Sequence, residues 1–220
     1  MEHFYNASHM GEDWFTYPTL YKSMVEHFPS GSRFVEVGSW KGKSAAHMAV
    51  EIINSGKDIK FDCVDIWTDV DEPHVKITGD ELYQTFLSNL EPVKHVVNSI
   101  RSDSRDAAKL FEDGSVDFIF LDGDHSYDGL KADIEAWLPK MKPNDSILAG
   151  HDYAWTPHIQ QLLNDMFGKD NYSDPWQTGS FMFKVVDGKL KKYNESVSIQ
   201  FPTLGTKVNT DKKVFSYKVG

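Results

Sequence analysis

Five short apolar runs, RFVEVG, KFDCVDIW, HVVNSI, VDFIFLD and SILAGHD, are each followed by residues whose apolar members recur at helical spacing. Near-continuous apolar runs of this length suit strands buried on both faces, and strands separated by helices pair in parallel. After the first run Ala45, Ala46, Met48, Ala49, Ile52 and Ile53 form one helix face, ended by Gly56. After the second, Leu82, Tyr83, Phe86, Leu87 and Leu90 form another, stopped by Pro92. Ala107, Leu110 and Phe111 mark a third, and Leu130, Ile134, Trp137, Leu138 and Met141 a fourth, stopped by Pro143. A helix carrying Leu20, Met24, Val25 and Phe28 precedes the first strand, and one carrying Ile159, Leu162, Leu163, Met166 and Phe167 follows the fifth. FMFKVV and KLKKY then flank Asp187-Gly188, a pair suited to the positive φ values of a two-residue hairpin turn. The pattern predicts an α/β fold, a doubly wound, Rossmann-like, mostly parallel seven-stranded sheet with helices on both faces and a C-terminal antiparallel hairpin.

No internal repeat, low-complexity tract or Pro/Gly-rich linker divides the 220 residues, so the chain reads as one domain. Within it stand a helical preface at 1–30, the sheet core at 31–194 and an extension at 195–220. No apolar run approaches the roughly 18 residues of a membrane helix. With 33 acidic against 23 basic side chains the net charge is −10. A surface of that sign repels phosphate backbones and anionic lipid, which argues against nucleic acid and membrane as partners. Cys63 is the sole cysteine, and MEHFYNASHM lacks the basic and apolar regions of an export signal, so the expected setting is the cytoplasm. Eight lysines lie from Lys184 onward, alternating with Val and Tyr as on a solvated strand edge; an acidic partner is the other reading. Residues 214–219 read as a strand that pairs within the chain or with the edge of a second copy, which leaves a homo-oligomer open.

In a doubly wound sheet the ligand lies beyond the carboxyl ends of the strands, where strand order reverses. The first strand runs through Glu36-Val37 into Gly38-Ser39-Trp40-Lys41-Gly42-Lys43-Ser44, a glycine turn entering a helix whose unpaired N-terminal N–H groups are available to an anion. This is not a phosphate-cradling P-loop, which needs four residues between its first glycine and Gly-Lys-Ser, where only Ser39, Trp40 and Lys41 separate Gly38 from Gly42. Nor is it a dinucleotide fingerprint, because Trp40 stands where a second glycine would admit the pyrophosphate.

FVEVGSWKGKS, an acid, a glycine, three residues and a second glycine, resembles the first motif of the class I S-adenosylmethionine-dependent methyltransferases. The likeness is to their methyltransferase-24 group, which includes small-molecule and sugar O-methyltransferases. KFDCVDIW is similar to that family's second motif, and VDFIFLDGDHSYDGLKADIEAWLPKMKPNDSILAGHDY to the group's most recognisable stretch, with Asn144-Asp145 in place of the usual paired glycines. The resemblance covers residues 12–186 and implies S-adenosylmethionine as cofactor. On it, the turn with Glu36, Gly38, Ser39, Trp40, Gly42 and Ser44 holds the methionine end, Asp65 pairs with the ribose hydroxyls, and Asp103, Ser104 and Asp122 complete the cofactor site. Asp103 also reads as a helix cap, with Asp106 three residues on as its reciprocal arm. Trp40 and Trp67 read equally as core aromatics or as ligand contacts.

Asp122 and Asp152 end runs expected to be adjacent parallel strands, about 4.8 Å apart. Asp122, His151 and Asp152 are therefore placed to converge, and oxygen and imidazole donors suit a divalent cation. Related sugar O-methyltransferases carry two adjacent acids where this chain has His151-Asp152, so the resemblance implies magnesium or manganese with an altered donor set. Hydrogen bonding to loop backbone is the other role for the two aspartates. His125 and His151 directly follow strand ends and are the general-base candidates, whereas His47 and His158 fall in helix patterns and read as structural or solvated. The implied reaction is methyl transfer to a hydroxyl of a small molecule or sugar. Its pocket is roofed by 67–90 and by the preface, whose Trp14, Phe15 and Tyr17, with Tyr83, suit a ring or sugar face. Two other readings stand beside this one: Asp122-Gly123-Asp124 matches the Asp-x-Asp of a metal-dependent nucleotide-sugar transferase, and a non-catalytic cofactor-binding module would keep the fold without turnover.

Overall fold

The computed structural model describes residues 1–72, 75–169, 171–174 and 178–193. The extension at 195–220 and the strand expected at 214–219 lie outside them. In chain order the elements are α1 (Pro18–His27), β1 (Arg33–Val37), α2 (Lys43–Ser55), β2 (Lys60–Asp65), β3 (Val70–Glu72), β4 (Val75–Ile77), α3 (Gly79–Leu90), β5 (Val97–Arg101), α4 (Ser104–Ala108), β6 (Phe118–Leu121), α5 (Tyr127–Trp137), β7 (Ile147–Gly150), α6 (Pro157–Phe167), β8 (Phe181–Val186) and β9 (Lys189–Lys192). Pro18 and Pro157 open their helices at positions whose N–H would have no partner in the helix. Thr78 and Glu81 close a reciprocal capping box on α3.

Seven strands form one sheet in the order β5-β2-β1-β6-β7-β8-β9. The first five are mutually parallel, and β8 and β9 close the sheet as an antiparallel hairpin. Asp187 and Gly188 adopt φ values of 51° and 69°, the left-handed pair whose twist matches that of the flanking strands. The small β3–β4 hairpin leaves no signal in the sequence, because a three-residue strand is too short to display an alternating pattern.

Successive strand residues point to opposite faces, so each buried strand feeds two cores. Phe34, Phe61, Cys63, Phe118 and Phe120 pack with the apolar faces of α1, α2 and α3. Val35, Val64, Ile119, Leu121 and Leu148 pack with those of α4, α5 and α6. The crossovers from β1 to β2 and β2 to β5 thus use one face, and those from β5 to β6 and β6 to β7 the other. Strand order reverses between β1 and β6, which puts the ligand crevice at the carboxyl ends of these two strands. Among the described residues no helix is long and apolar enough to cross a membrane.

Candidate active site

Beyond Val37 the chain turns through Gly38 at φ 86°. A Cβ there would run into the backbone of Asp122, so glycine is what allows the ends of β1 and β6 to approach, sealed by the Asp122 N–H donating to the Val37 carbonyl at 2.8 Å. Gly42 caps α2 without a side-chain hydrogen bond, leaving N–H groups of the first helical turn to water or a ligand. Behind the turn Glu36 is only 1% exposed. Its Oε2 accepts the Tyr21 hydroxyl at 2.6 Å, while Oε1 and the buried Ser39 Oγ have no partner among the described residues. Burial pushes the Glu36 carboxyl up to about 7, against the opposing pull of the Tyr21 hydroxyl. A buried carboxylate oxygen left unpaired at a strand end calls for a donor from a ligand.

Asp65, at the end of β2, organises the same turn. Its Oδ2 accepts the Trp40 N–H at 2.9 Å and its Oδ1 the Trp67 N–H at 2.8 Å, and the Trp67 indole N–H reaches the Trp40 carbonyl at 2.8 Å. Both tryptophans hold left-handed backbone, φ 47° and 41°, which bulky residues rarely adopt and which persists where neighbours over-determine it, commonly at binding sites. Burial raises the Asp65 pKa while these backbone N–H groups draw it down. Trp67 is fully buried against Tyr83 and Phe86 and is a core aromatic. Trp40 is half-buried, its indole N–H donating to Glu12 at 3.0 Å.

Asp103 and Ser104 sit at the end of β5, as expected, and both make structural bonds. Asp103 caps α4 through the Arg105 N–H at 3.0 Å, and the Arg105 guanidinium beside it holds its carboxyl at about 2. The reciprocal arm expected of Asp106 is not made, because that carboxylate pairs with Lys109 at 2.7 Å. Ser104 Oγ accepts the Trp137 indole N–H at 2.9 Å.

At the ends of β6 and β7, Asp122, His151 and Asp152 each present a ligand atom, all within 4.8 Å of one another. His151 Nδ1 lies 3.6 Å from Asp122 Oδ1 and 3.4 Å from Asp152 Oδ1, and His125 Nε2 lies 3.0 Å from Asp152 Oδ2. The preface closes over this centre. The Tyr17 hydroxyl donates to Asp122 Oδ2 at 2.8 Å; the Thr16 hydroxyl donates to the Thr178 carbonyl at 2.8 Å and lies 2.9 Å from His151 Nε2. A hydroxyl has one proton, already committed to Thr178, so Thr16 accepts from His151 Nε2–H. Nδ1 faces both carboxylates, to which it donates when the ring is charged; in the neutral ring its lone pair is free for a cation held between them. Burial draws the His151 pKa down, but Asp122 and Asp152 outweigh it and the net shift is upward. Asp122 would rise on burial, yet His125 and His151 hold it below the ordinary range.

Asp124 does not join Asp122. Its carboxylate accepts the Ser126 N–H at 2.9 Å in the turn before α5, so the two acids of Asp122-Gly123-Asp124 do not converge as an Asp-x-Asp metal site requires. Tyr17 is buried and contributes its hydroxyl rather than a ring face. Among the described residues the exposed aromatics near the centre are Trp14, its ring centroid 6.0 Å from that of Trp40, and Trp155, 5.3 Å from that of His151. Thr16, Tyr21, Glu12 and Trp155 were all missing from the expected site.

Residues 35–153, more than half of the chain, match a family model described as a methyltransferase domain. The chain belongs to this methyltransferase family. The matched stretch carries the glycine turn, Asp65 and the Asp122, His151 and Asp152 centre of the methyltransferase, whose fold is that of the class I S-adenosylmethionine-dependent enzymes. Over 120 residues it is 29% identical to the uncharacterized protein y4gI of Sinorhizobium fredii, a stretch covering 54% of this chain and 13% of that relative, so it spans a small part of the relative's length. The O-methyltransferase NovP superposes with a TM-score of 0.56 at 14% identity, covering 78% of this chain and 80% of NovP. An rRNA methylase from Streptococcus thermophilus superposes with a TM-score of 0.52 at 13% identity, covering 76% of this chain and 95% of that one. At such identities the likeness is one of fold.

Proposed function

We propose that this methyltransferase transfers a methyl group from S-adenosylmethionine to a hydroxyl oxygen of a small-molecule or sugar acceptor. The polar groups present suit the cofactor. The unpaired Glu36 Oε1 and Ser39 Oγ match an ammonium and a polar group at its methionine end, the α2 N-terminus matches its carboxylate, and Asp65 matches the ribose diol. When bound, the cofactor supplies an electrophilic methyl group on a sulfonium.

The observation that carries the reading is the meeting of Asp122, His151 and Asp152 beside the glycine turn. An alcohol is a weak nucleophile until its proton is removed, and oxygen and imidazole donors are the set for a magnesium or manganese ion that would acidify it. His151, buried with Nε2 given to Thr16, serves as a ligand rather than as the base. His125, whose side chain is 45% exposed beside the two aspartates, takes the hydroxyl proton. The chain's other work is alignment, since a one-step displacement depends on the acceptor oxygen being held in line with the methyl group. A net charge of −10 supports a small acceptor over the phosphate backbone of an RNA.

Mass spectrometry of products from a panel of sugars and ring alcohols, with S-adenosylmethionine and with or without EDTA, tests the reading. The expected result is an O-methylated product whose formation EDTA suppresses. His125→Ala should lower kcat by roughly 10²- to 10⁴-fold with cofactor affinity unchanged. Cofactor binding without methylation of any hydroxyl acceptor would overturn it.

A further inference from the structure

The first residues of the chain lie antiparallel along α2. The Asn54 side-chain amide donates to the Met1 carbonyl at 3.0 Å, His3 Nε2 meets Glu51 Oε1 at 2.8 Å, and Tyr5 stacks on His47 at 4.9 Å between ring centroids. His47, Glu51 and Asn54 are spaced four and three residues apart, which places them on one face of α2. The His3 and His47 rings are 4.4 Å apart, and one ligand atom from each of His3, His47 and Glu51 lies within 4.8 Å of the others. His47 is only 4% exposed, yet its Nδ1 has no hydrogen-bond partner among the described residues. A buried polar atom in that condition requires an explanation, and packing of its ring against Tyr5 and Phe15 does not provide one for the nitrogen.

We propose that His3, His47 and Glu51 form a second metal site, remote from the methyl-transfer centre, at which zinc fastens the N-terminal segment to α2. Two imidazoles and a carboxylate are the donor set of a borderline ion such as zinc, in contrast to the oxygen-rich sets that hold magnesium. The His3 side is open to solvent, its side chain 32% exposed against 14% for Glu51, so a water can take the fourth position of a tetrahedral ion. His47 and Glu51 come from a rigid helix and only His3 from the segment being fastened. Metal binding therefore couples directly to the docking of that segment.

The test is zinc uptake by the full chain in competition with a chromophoric chelator, for the wild type, His3→Ala, Glu51→Ala and Asp152→Ala. One zinc equivalent is expected to survive in Asp152→Ala and to weaken by at least about tenfold in both His3→Ala and Glu51→Ala, as loss of metal-site support generally does. Far-UV circular dichroism should show both of these variants folded, because neither side chain is in the core. That zinc should also raise the thermal midpoint of the wild type and leave that of His3→Ala unmoved. Retention of the equivalent in either His3→Ala or Glu51→Ala overturns the proposal. So does its loss in Asp152→Ala alone, or the absence of any zinc uptake. A chelate made by the terminal amine and His3 alone would survive Glu51→Ala and so counts against it.

Discussion

Thr16 fixes the role of one nitrogen of His151. Its hydroxyl donates to the Thr178 carbonyl at 2.8 Å and accepts from His151 Nε2 at 2.9 Å, across a sequence separation of 135 residues. The preface therefore reaches into the centre formed by β6 and β7 and turns the other imidazole nitrogen toward Asp122 and Asp152. It also grips the glycine turn, through Glu12 on the Trp40 indole and on Lys41 at 2.9 Å. One segment thus bridges the two halves of the site.

Replacing Thr16 by Val keeps its shape and removes the acceptor. The His151 tautomer is then no longer held, and kcat should fall by about 10- to 100-fold, the usual cost of losing a group that orients a ligand histidine. Cofactor affinity should stay near that of the wild type, and Thr16→Ser should restore the rate. Steady-state kinetics beside calorimetry checks this; an equal loss of cofactor affinity would move Thr16 out of the acceptor half.

Glu36 links stability to pH. Burial lifts its carboxyl from 4.5 to about 7, so the folded chain keeps a proton that the unfolded chain has released. Its stabilising contribution is complete below about pH 4.5 and is lost as pH rises through about 7. The full shift corresponds to roughly 3 kcal/mol. Thermal unfolding from about pH 4.5 to about pH 8 should show the wild type losing stability relative to Glu36→Gln. Parallel curves for the two proteins would contradict this account of the carboxyl.

Gly38 and Gly42 share φ 86° but differ in what a side chain would strike. At Gly38 a Cβ meets the Asp122 backbone, whereas at Gly42 it meets Phe86 Cδ2 at 3.1 Å and Leu90 Cγ at 3.2 Å, side-chain atoms with room to shift. Gly38→Ala should therefore lower both cofactor affinity and the thermal midpoint more than Gly42→Ala does. Calorimetry and thermal unfolding of the two variants rank them, and the reverse order would remove the close approach of β1 and β6 as the reason for the glycine.

Much of the fold was legible because strands buried on both faces are apolar throughout, as in VDFIFLD, and the helices between them carry one clear face. Strand-end residues such as Asp65, Asp122 and His151 were legible for the same reason, since topology alone delivers them to the crevice. Thr16 and Tyr21 were not. Nothing local in HMGEDWFTYPTLY separates a hydroxyl that reaches a distant histidine from one that caps a helix, and the Tyr21 contact to Glu36 depends on how α1 docks on the sheet. Asp124 fails in the opposite way. Its spacing from Asp122 is correct for a metal pair, but the turn into α5 uses its carboxylate for the Ser126 N–H. A three-residue motif carries no information about direction.

Calorimetry with S-adenosylmethionine on the full chain, beside Asp65→Ala and His151→Ala, goes to the centre of the account. In the proposed function the glycine turn and Asp65 hold the cofactor, and Asp122, His151 and Asp152 serve the acceptor. Wild type and His151→Ala should bind with similar affinity, and Asp65→Ala at least about tenfold more weakly, because a buried hydrogen-bonded charge is lost. No binding by the wild type, or undiminished binding by Asp65→Ala, would contradict it.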